Sequence, residues 1–343
     1  MRNVTFGVGL FPTESFQRMV SLIKLSEDLG FSCAYVGDSQ MIWREAYVIL
    51  GAAAMVTKRI TLATGVTNPI TRDLGVIAGV WATLREAVGD RLLLGIGAGD
   101  SSLETIGKKP STLANLERAV GTVRGLISGQ TVTYPDTNAP VRLTYAQAGP
   151  SIPVYLAVSS PKIHRLAGKI ADGAIVLVGT DPQFLQASRR ELEAGAAEAG
   201  RDLKAQGFRV VCWTPCSIQD NGHAARSAVK AHVSRVLKRK LPFDLDAATM
   251  EVVHKIREHY EYYEHMVAGT AHGDLVSDEL VERFAVAGTP AEARAQLERL
   301  ASTGLVDEIA IIPHTQEPVE RERIIRLVGE MIPDLNRGAR GRT

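Results

Sequence analysis

Short runs rich in Val, Ile, Leu and Ala alternate with longer amphipathic stretches along almost all of the 343 residues, and this rhythm restricts the fold more than any other feature of the chain. Parallel strands need a long crossover between them, which a helix supplies, so the alternation predicts β/α units rather than separate layers. Eight units can be counted, with strands expected near Val4–Leu10, Cys33–Gly37, Ile60–Gly65, Leu92–Gly97, Val154–Val158, Ala174–Val178, Phe208–Cys216 and Glu308–Ile312. Their nearly unbroken apolar character suits strands covered on both faces. Between them, Phe16, Met19, Val20, Ile23 and Leu25 recur at helical spacing with Gly30 as the stop, and Asp73–Val88 and Leu113–Ser128 repeat the pattern. Asp172-Gly173 and Gly288-Thr289-Pro290 punctuate later units, the second placing proline in a first helical turn. Eight such units predict an α/β fold, a (β/α)8 TIM barrel with its chemistry at the carboxyl ends of the strands. One domain is expected over residues 1–336, followed by a disordered basic tail at 337–343.

One stretch breaks the rhythm. From about Leu241 to Leu280 the chain is charged and aromatic, an insertion between the seventh and eighth strands. It reads either as a solvated or subunit-contacting helical excursion or as a lid over the barrel mouth. His254, His259 and His265 lie five and six apart, not the three or four that align ligands on one helix face, so no metal is expected there.

Charge narrows the partners. Lys plus Arg number 39 against 38 Asp plus Glu, a net charge of +1 that offers no global field for nucleic acid or an anionic membrane. A small-molecule ligand fits better. No apolar run approaches the roughly 18 residues of a membrane span. The sequence enters a strand pattern at once, without a signal-peptide core, so a cytoplasmic protein is expected. The three cysteines fall in strand-like runs; Cys212 and Cys216, four residues apart in a strand at about 3.3 Å each, stand about 13 Å apart, too far to bridge.

The strand ends carry the unusual residues. Leu92 to Leu94 lead into Gly95-Ile96-Gly97-Ala98-Gly99-Asp100, whose backbone can approach a ligand closely and whose N–H groups can hold an anion or a flat ring. The turn lacks the third glycine and helix spacing of a dinucleotide fingerprint and the Lys-Ser/Thr of a P-loop. Tyr35-Val36-Gly37-Asp38-Ser39, Thr64-Gly65-Val66-Thr67-Asn68-Pro69 and Val158-Ser159-Ser160-Pro161 end three other strands, and in a barrel all four ends converge on one mouth. Ser159 and Ser160 precede a helix whose amides and dipole can bind phosphate, although the same residues also describe an ordinary serine cap with proline at the first helical position.

Together, the Thr64–Pro69 segment, the Gly95–Asp100 turn and the late Val286-Ala287-Gly288-Thr289-Pro290 resemble the bacterial-luciferase-like superfamily of flavin and deazaflavin enzymes. Within it, the branch of methylenetetrahydromethanopterin reductases, which use coenzyme F420, fits best. The resemblance covers most of residues 4–332 and is weakest in the insertion. It implies a non-prolyl cis peptide at Gly65-Val66 beneath the cofactor ring, with Thr64, Gly65, Val66, Asn68, Gly97, Ala98, Gly99 and Asp100 around it. It further implies that Val158, Ser159 and Ser160 hold the cofactor phosphate, and that Asp38 is the polar catalytic group. Gly9, Trp43, Arg44 and Glu104 are the candidates for the substrate pocket; a helix cap at Asp100 and plain solvent exposure at Glu104 are the alternatives. Many relatives carry histidine directly after the aspartate, where this chain has Ser39, and glutamate where it has Gly9.

The activity so implied is hydride transfer between F420 and a small organic substrate. The alternatives are an FMN-dependent monooxygenase supplied with reduced flavin by a partner reductase, or a barrel that binds the cofactor without turnover. A homo-oligomer, dimer or tetramer, is expected from relatives and from Tyr260, Tyr262 and Tyr263.

Overall fold

The structure, a computed structural model, describes residues 4–146, 149, 151–260, 269–315 and 317–338. Met1 to Asn3, Tyr262, Tyr263, His265 and the 339–343 end of the tail lie outside the described residues.

In chain order the elements are β1 (Thr5–Leu10), α1 (Phe16–Asp28), β2 (Cys33–Val36), α2 (Ala46–Val56), β3 (Thr61–Thr64), α3 (Leu74–Val88), β4 (Leu92–Ile96), α4 (Ser101–Glu104), α5 (Leu113–Ile127), β5 (Val132–Thr133), β6 (Pro140–Val141), β7 (Val154–Val158), α6 (Pro161–Ile170), β8 (Gly173–Val176), α7 (Pro182–Glu198), β9 (Arg209–Ile218), α8 (Gly222–Leu237), α9 (Ala247–His259), α10 (Ala271–Asp274), α11 (Asp278–Phe284), β10 (Val286–Gly288), α12 (Pro290–Ser302), β11 (Glu308–Pro313) and α13 (Pro318–Gly338). Strands β1, β2, β3, β4, β7, β8, β9 and β11 pair in parallel, in that order, and β11 returns to β1, closing an eight-stranded (β/α)8 barrel.

All eight barrel strands fall where the apolar runs place them. The antiparallel β5–β6 pair and the three-residue β10 were not foreseen. Strand β10 exists because β9 is ten residues long: past the barrel rim, Cys216 to Ile218 still offer backbone groups, and Val286 to Gly288 pair with them.

Alternation along each strand separates two cores. Ala34, Val36, Val210, Cys212, Ile309 and Ile311 face the surrounding helices, whereas Cys33, Tyr35, Val211, Trp213, Ala310 and Ile312 fill the barrel. Two large rings inside need room, and β1 provides it with glycine. A Cβ at Gly7 would stand 3.0 Å from Tyr35, and one at Gly9 would stand 2.7 Å from Trp213. The barrel floor is polar. Glu308 is buried there, accepting from the Tyr35 hydroxyl at 2.8 Å and from Thr5 and Ser32, and burial raises its pKa. Cys33, Cys212 and Cys216 are buried free thiols, and burial pushes Cys212 and Cys216 up to about 12.

Within the insertion the described residues form α9, α10 and α11. Helix α8, just upstream, crosses the barrel end: it starts after β9, brings the His232 ring 6.4 Å from Phe11 and His232 Nδ1 2.6 Å from His314 Nε2, and carries Arg235 to Asp100 beyond β4. Helices α10 and α11 stack on its outer side, with Asp278 accepting from Arg226 and Lys230 of α8. Tyr260 is half-buried beneath the Lys238 ammonium, 3.8 Å from the ring centre, and packs on His272, so it is no free surface aromatic.

Candidate functional site at the barrel mouth

Glycines set how closely the β3 and β4 ends approach. A Cβ on Gly95 would lie 2.1 Å from the Thr64 carbonyl oxygen, and the Thr64 hydroxyl donates to the Gly95 carbonyl at 2.7 Å. The chain then bulges through a cis Gly65-Val66 peptide and returns, with Thr67 N donating to Gly95 O and Gly97 N to Thr67 O. Asn68 staples the bulge: its Oδ1 accepts from the amides of Ile70 and Thr71, and its amide group donates to Thr71 and Ser102. Gly99 has φ of +96°, a conformation that favours glycine.

A cavity of about 290 Å³ opens above this bulge, between Gly65, Val66, Asn68, Gly97, Ala98, Gly99, Asp100 and Ser159 on one side and Phe11, Trp43 and Trp213 on the other. Three turns from separate β/α units thus share one concave space. A larger cavity of about 1120 Å³ lies at the opposite end, where strand starts such as Val4, Val210 and Asp307 line it. It holds none of the glycine turns and stands at the barrel face where stability rather than chemistry usually resides.

Asp38 borders the mouth and is held from three directions. Arg72 donates to both of its oxygens, at 2.7 and 3.2 Å, and the Thr67 hydroxyl donates at 2.8 Å. Arg72 also reaches Glu45 and lies over the Tyr47 ring. Ser39, where a histidine was absent, shares a hydrogen bond with Ser101. Trp43 stacks on Phe11 with ring centres 4.4 Å apart and forms the apolar wall.

Six of the sequence candidates, Gly9, Arg44, Thr64, Glu104, Val158 and Ser160, do not line the cavity. Arg44 donates to the carbonyls of Pro12 and Thr13, tying down the loop after β1. Glu104 is exposed on α4. The Thr64 side chain is consumed by Gly95, Val158 packs outward against the helices, and Trp213 fills the volume above Gly9. Ser160 caps α6 by position only: among the helices of ten or more residues whose N-cap is described, α6 alone has no side-chain capping bond, and with Pro161 lacking an N–H and His164 N donating to Ser160 O, the Lys162 and Ile163 amides are the first-turn donors left beside Ser159.

Sequence reasoning missed the cations at the end of α8 and just after it. Arg235 and Arg239 both donate to Asp100 Oδ2, Arg235 Nη2 at 2.8 Å, and Lys240 joins them at the cavity edge. Burial would raise the Asp100 carboxyl, but Arg239 and Arg235 hold it far below the usual range. The sequence carries no mark of this: only the structure shows Ala231–Leu237 buried at every position, His232, Ser234 and Arg235 included. Among the described residues no group of three or more His, Cys, Asp or Glu could hold a metal ion, and no helix is long and apolar enough to cross a membrane.

The fold and the mouth define a (β/α)8 barrel with a cavity open above a strand-end bulge. The chain belongs to the luciferase-like monooxygenase family, which it matches over residues 4–307. It is 29% identical over 342 residues to a 5,10-methylenetetrahydromethanopterin reductase of Archaeoglobus fulgidus, covering 96% of this chain and 99% of that one. A second such reductase, from Methanolobus tindarius, is 27% identical over 340 residues, with 96% and 99% covered. The solved structure of the coenzyme F420 dependent tetrahydromethanopterin reductase from Methanopyrus kandleri superposes with a TM-score of 0.77 at 25% identity, covering 97% of this chain and 99% of that one.

Proposed function

We propose that this chain is an F420-dependent oxidoreductase that moves a hydride between the bound deazaflavin and a small organic substrate. The observation that carries the reading is the single cavity shared by Gly65, Gly97 and Ser159. The residues suit the group: at Gly97 a Cβ would lie 3.3 Å from both Val66 and Ala157, so the glycine keeps open the space a planar ring needs. Ser159 and the uncapped amides of α6 would take the phosphate. A deazaflavin supplies a two-electron hydride centre when bound. The protein's part is positioning: the bulge and glycine turn hold the ring edge, Phe11, Trp43 and Trp213 exclude water, and Asp38, fixed by Arg72, presents a carboxylate to the reacting face. Full-length similarity to F420-dependent reductases supports this reading; the space above Gly9, filled here by Trp213, argues for a substrate other than a close copy of theirs.

A homo-oligomer forms part of the same proposal. Helix α2 has no charged residue and exposes Val48 and Met55 at 59% and 78%, an apolar face suited to a second copy.

Titration with F420 and FMN tests the cofactor. F420 is expected to bind at least about tenfold more tightly, and addition of a reducible or oxidisable substrate should change its violet-edge band. Preferential FMN binding with oxygen consumption would move the chain to the monooxygenase side of its family, and binding without any turnover would make it a non-catalytic barrel.

A further inference from the structure

We infer that Tyr47 is a positioning residue of the mouth, which acts through Thr67 to fix the bulge after β3 against the glycine turn and so sets the spacing of the two turns around a bound ligand. The identity of that ligand, a deazaflavin, rests on the function proposed above. Tyr47 belongs to a closed ring of polar contacts. Arg72 donates to both oxygens of Asp38 and pairs with Glu45; Glu45 Oε2 accepts from the Tyr47 amide at 2.6 Å; the Tyr47 hydroxyl shares a hydrogen bond of 3.1 Å with the Thr67 hydroxyl; and Thr67 donates to Asp38 at 2.8 Å. The ring ties together the end of β2, the start of α2, the bulge after β3 and the residue before the α3 cap.

The direction of the hydroxyl bonds follows from the partners. A carboxylate paired with a guanidinium only accepts, so Thr67 gives its one proton to Asp38 and takes the Tyr47 proton in turn. Burial raises the Tyr47 pKa, which keeps that proton in place. Arg72 lies over the Tyr47 ring, its Cζ 4.6 Å from the ring centre, and Trp81 packs on it with ring centres 5.6 Å apart, so the hydroxyl is aimed by contacts with both. Satisfying the buried Thr67 hydroxyl does not require Tyr47, because donation to Asp38 already does so. What the second bond steadies is a point beyond the regular sheet: β3 ends at Thr64, and Thr67 meets β4 as an isolated bridge to Ile96. Thr67 N donates to Gly95 O at 3.0 Å and Thr67 O accepts from Gly97 N at 2.9 Å, so a turn of Thr67 shifts the glycine turn against the bulge. Thr67 and Asp38 border the cavity and Tyr47 does not, so Tyr47 reaches the ligand only through them.

Amide hydrogen exchange on the full chain without ligand is the first measurement. Tyr47→Phe keeps the ring beneath Arg72 and removes only the hydroxyl; exchange at the Thr67 and Gly97 amides should quicken roughly five- to tenfold while the amides of β8, outside the ring of contacts, keep their rates. Thr67→Val should have the same effect or a larger one, and Thr67→Ser should restore most of the protection. In the Thr67→Val background Tyr47→Phe should add nothing, because the link is already cut. Titration with F420 is the second measurement, and its affinity should follow the same order, about threefold weaker in Tyr47→Phe, about tenfold weaker in Thr67→Val and near wild type in Thr67→Ser. Unchanged exchange at Thr67 and Gly97 in Tyr47→Phe, additive effects of the two substitutions, or no recovery in Thr67→Ser overturns the inference. An F420 affinity that is measurable in wild type and indifferent to both substitutions overturns it as well. Coupled exchange in a chain that ignores F420 would defeat the cofactor reading and leave the positioning of the turns by Tyr47 standing.

Discussion

Gly9 shows how a residue's meaning depends on a partner 204 positions away in the sequence. Read alone it is a missing pocket side chain; in the barrel it is the hollow that receives Trp213, whose ring atoms lie 2.7 Å from where a Cβ would be. Gly9→Glu should therefore cost about 2–3 kcal/mol by overpacking, and Gly9→Glu with Trp213→Ala should be more stable than the two single costs summed, as read by urea unfolding. His164 makes a second prediction. Its Nδ1 bonds the Ser160 carbonyl at 2.8 Å, its Nε2 is buried without a hydrogen-bond partner among the described residues, and burial lowers its pKa to about 4. The folded pKa lies below the unfolded value, so the unfolded chain binds the proton first. Stability is complete above about pH 6.5 and falls as pH drops towards 4, by about 3 kcal/mol in all. The melting temperature of His164→Gln should fall less than that of wild type between pH 7 and 4.5. Neither contact was legible in the sequence, since a glycine or a helical histidine carries no mark of what packs against it.

At the scale of elements the sequence says more. Strands buried on both faces are mostly apolar, so β4 and β7 announce themselves as unbroken runs and β1 and β11 as runs broken only at their first residues, whereas β10 depends on the overhang of β9 and leaves no signal of its own. The glycine turn was readable because close backbone approach demands glycine, and the Gly65 bulge only through the family resemblance of Thr64–Pro69. Helix α8 was not: Arg235 and Arg239, four apart, look like an ordinary solvated stripe until the helix is seen to cross the mouth. Glu27 links two β/α units in a way that could also not be foreseen. Its Oε2 accepts from the amides of Lys58, Arg59 and Ile60, and these bonds, against the effect of burial, hold the carboxyl at about 2. Since the folded pKa is depressed, this support is present above about pH 4.5 and lost as pH falls towards 2. Glu27→Ala should cost about 2–3 kcal/mol at neutral pH and speed hydrogen exchange at those three amides, because each is left without its acceptor.

The whole molecule divides its two barrel ends between stability and binding. Tyr35, Glu308 and their hydroxyl partners close the floor with a satisfied polar network, while the rim leaves a cavity bounded by backbone, indole rings and the α8 cations. The glycine turns at that rim contribute little to the core, so occupancy and folding are separable there. A ligand that binds only the folded chain adds about 2.7 kcal/mol of stability at a hundred times its Kd. For a chain of this size that corresponds to a rise of roughly 4 °C in Tm. F420 at that concentration should produce such a rise in wild type, and FMN at the same concentration a much smaller one. Gly97→Val places its branched side chain in the buried space between Val66 and Ala157 that opens into the mouth cavity. The apo Tm of this variant should fall by only about 1–4 °C, since a Cβ already meets both neighbours at 3.3 Å and overpacking costs about 1–3 kcal/mol. Its F420-dependent rise should vanish. A Gly97→Val chain that kept the full rise would show that the cofactor sits elsewhere, and one whose apo Tm fell by about 10 °C or more would show that the turn is a structural joint rather than a cradle.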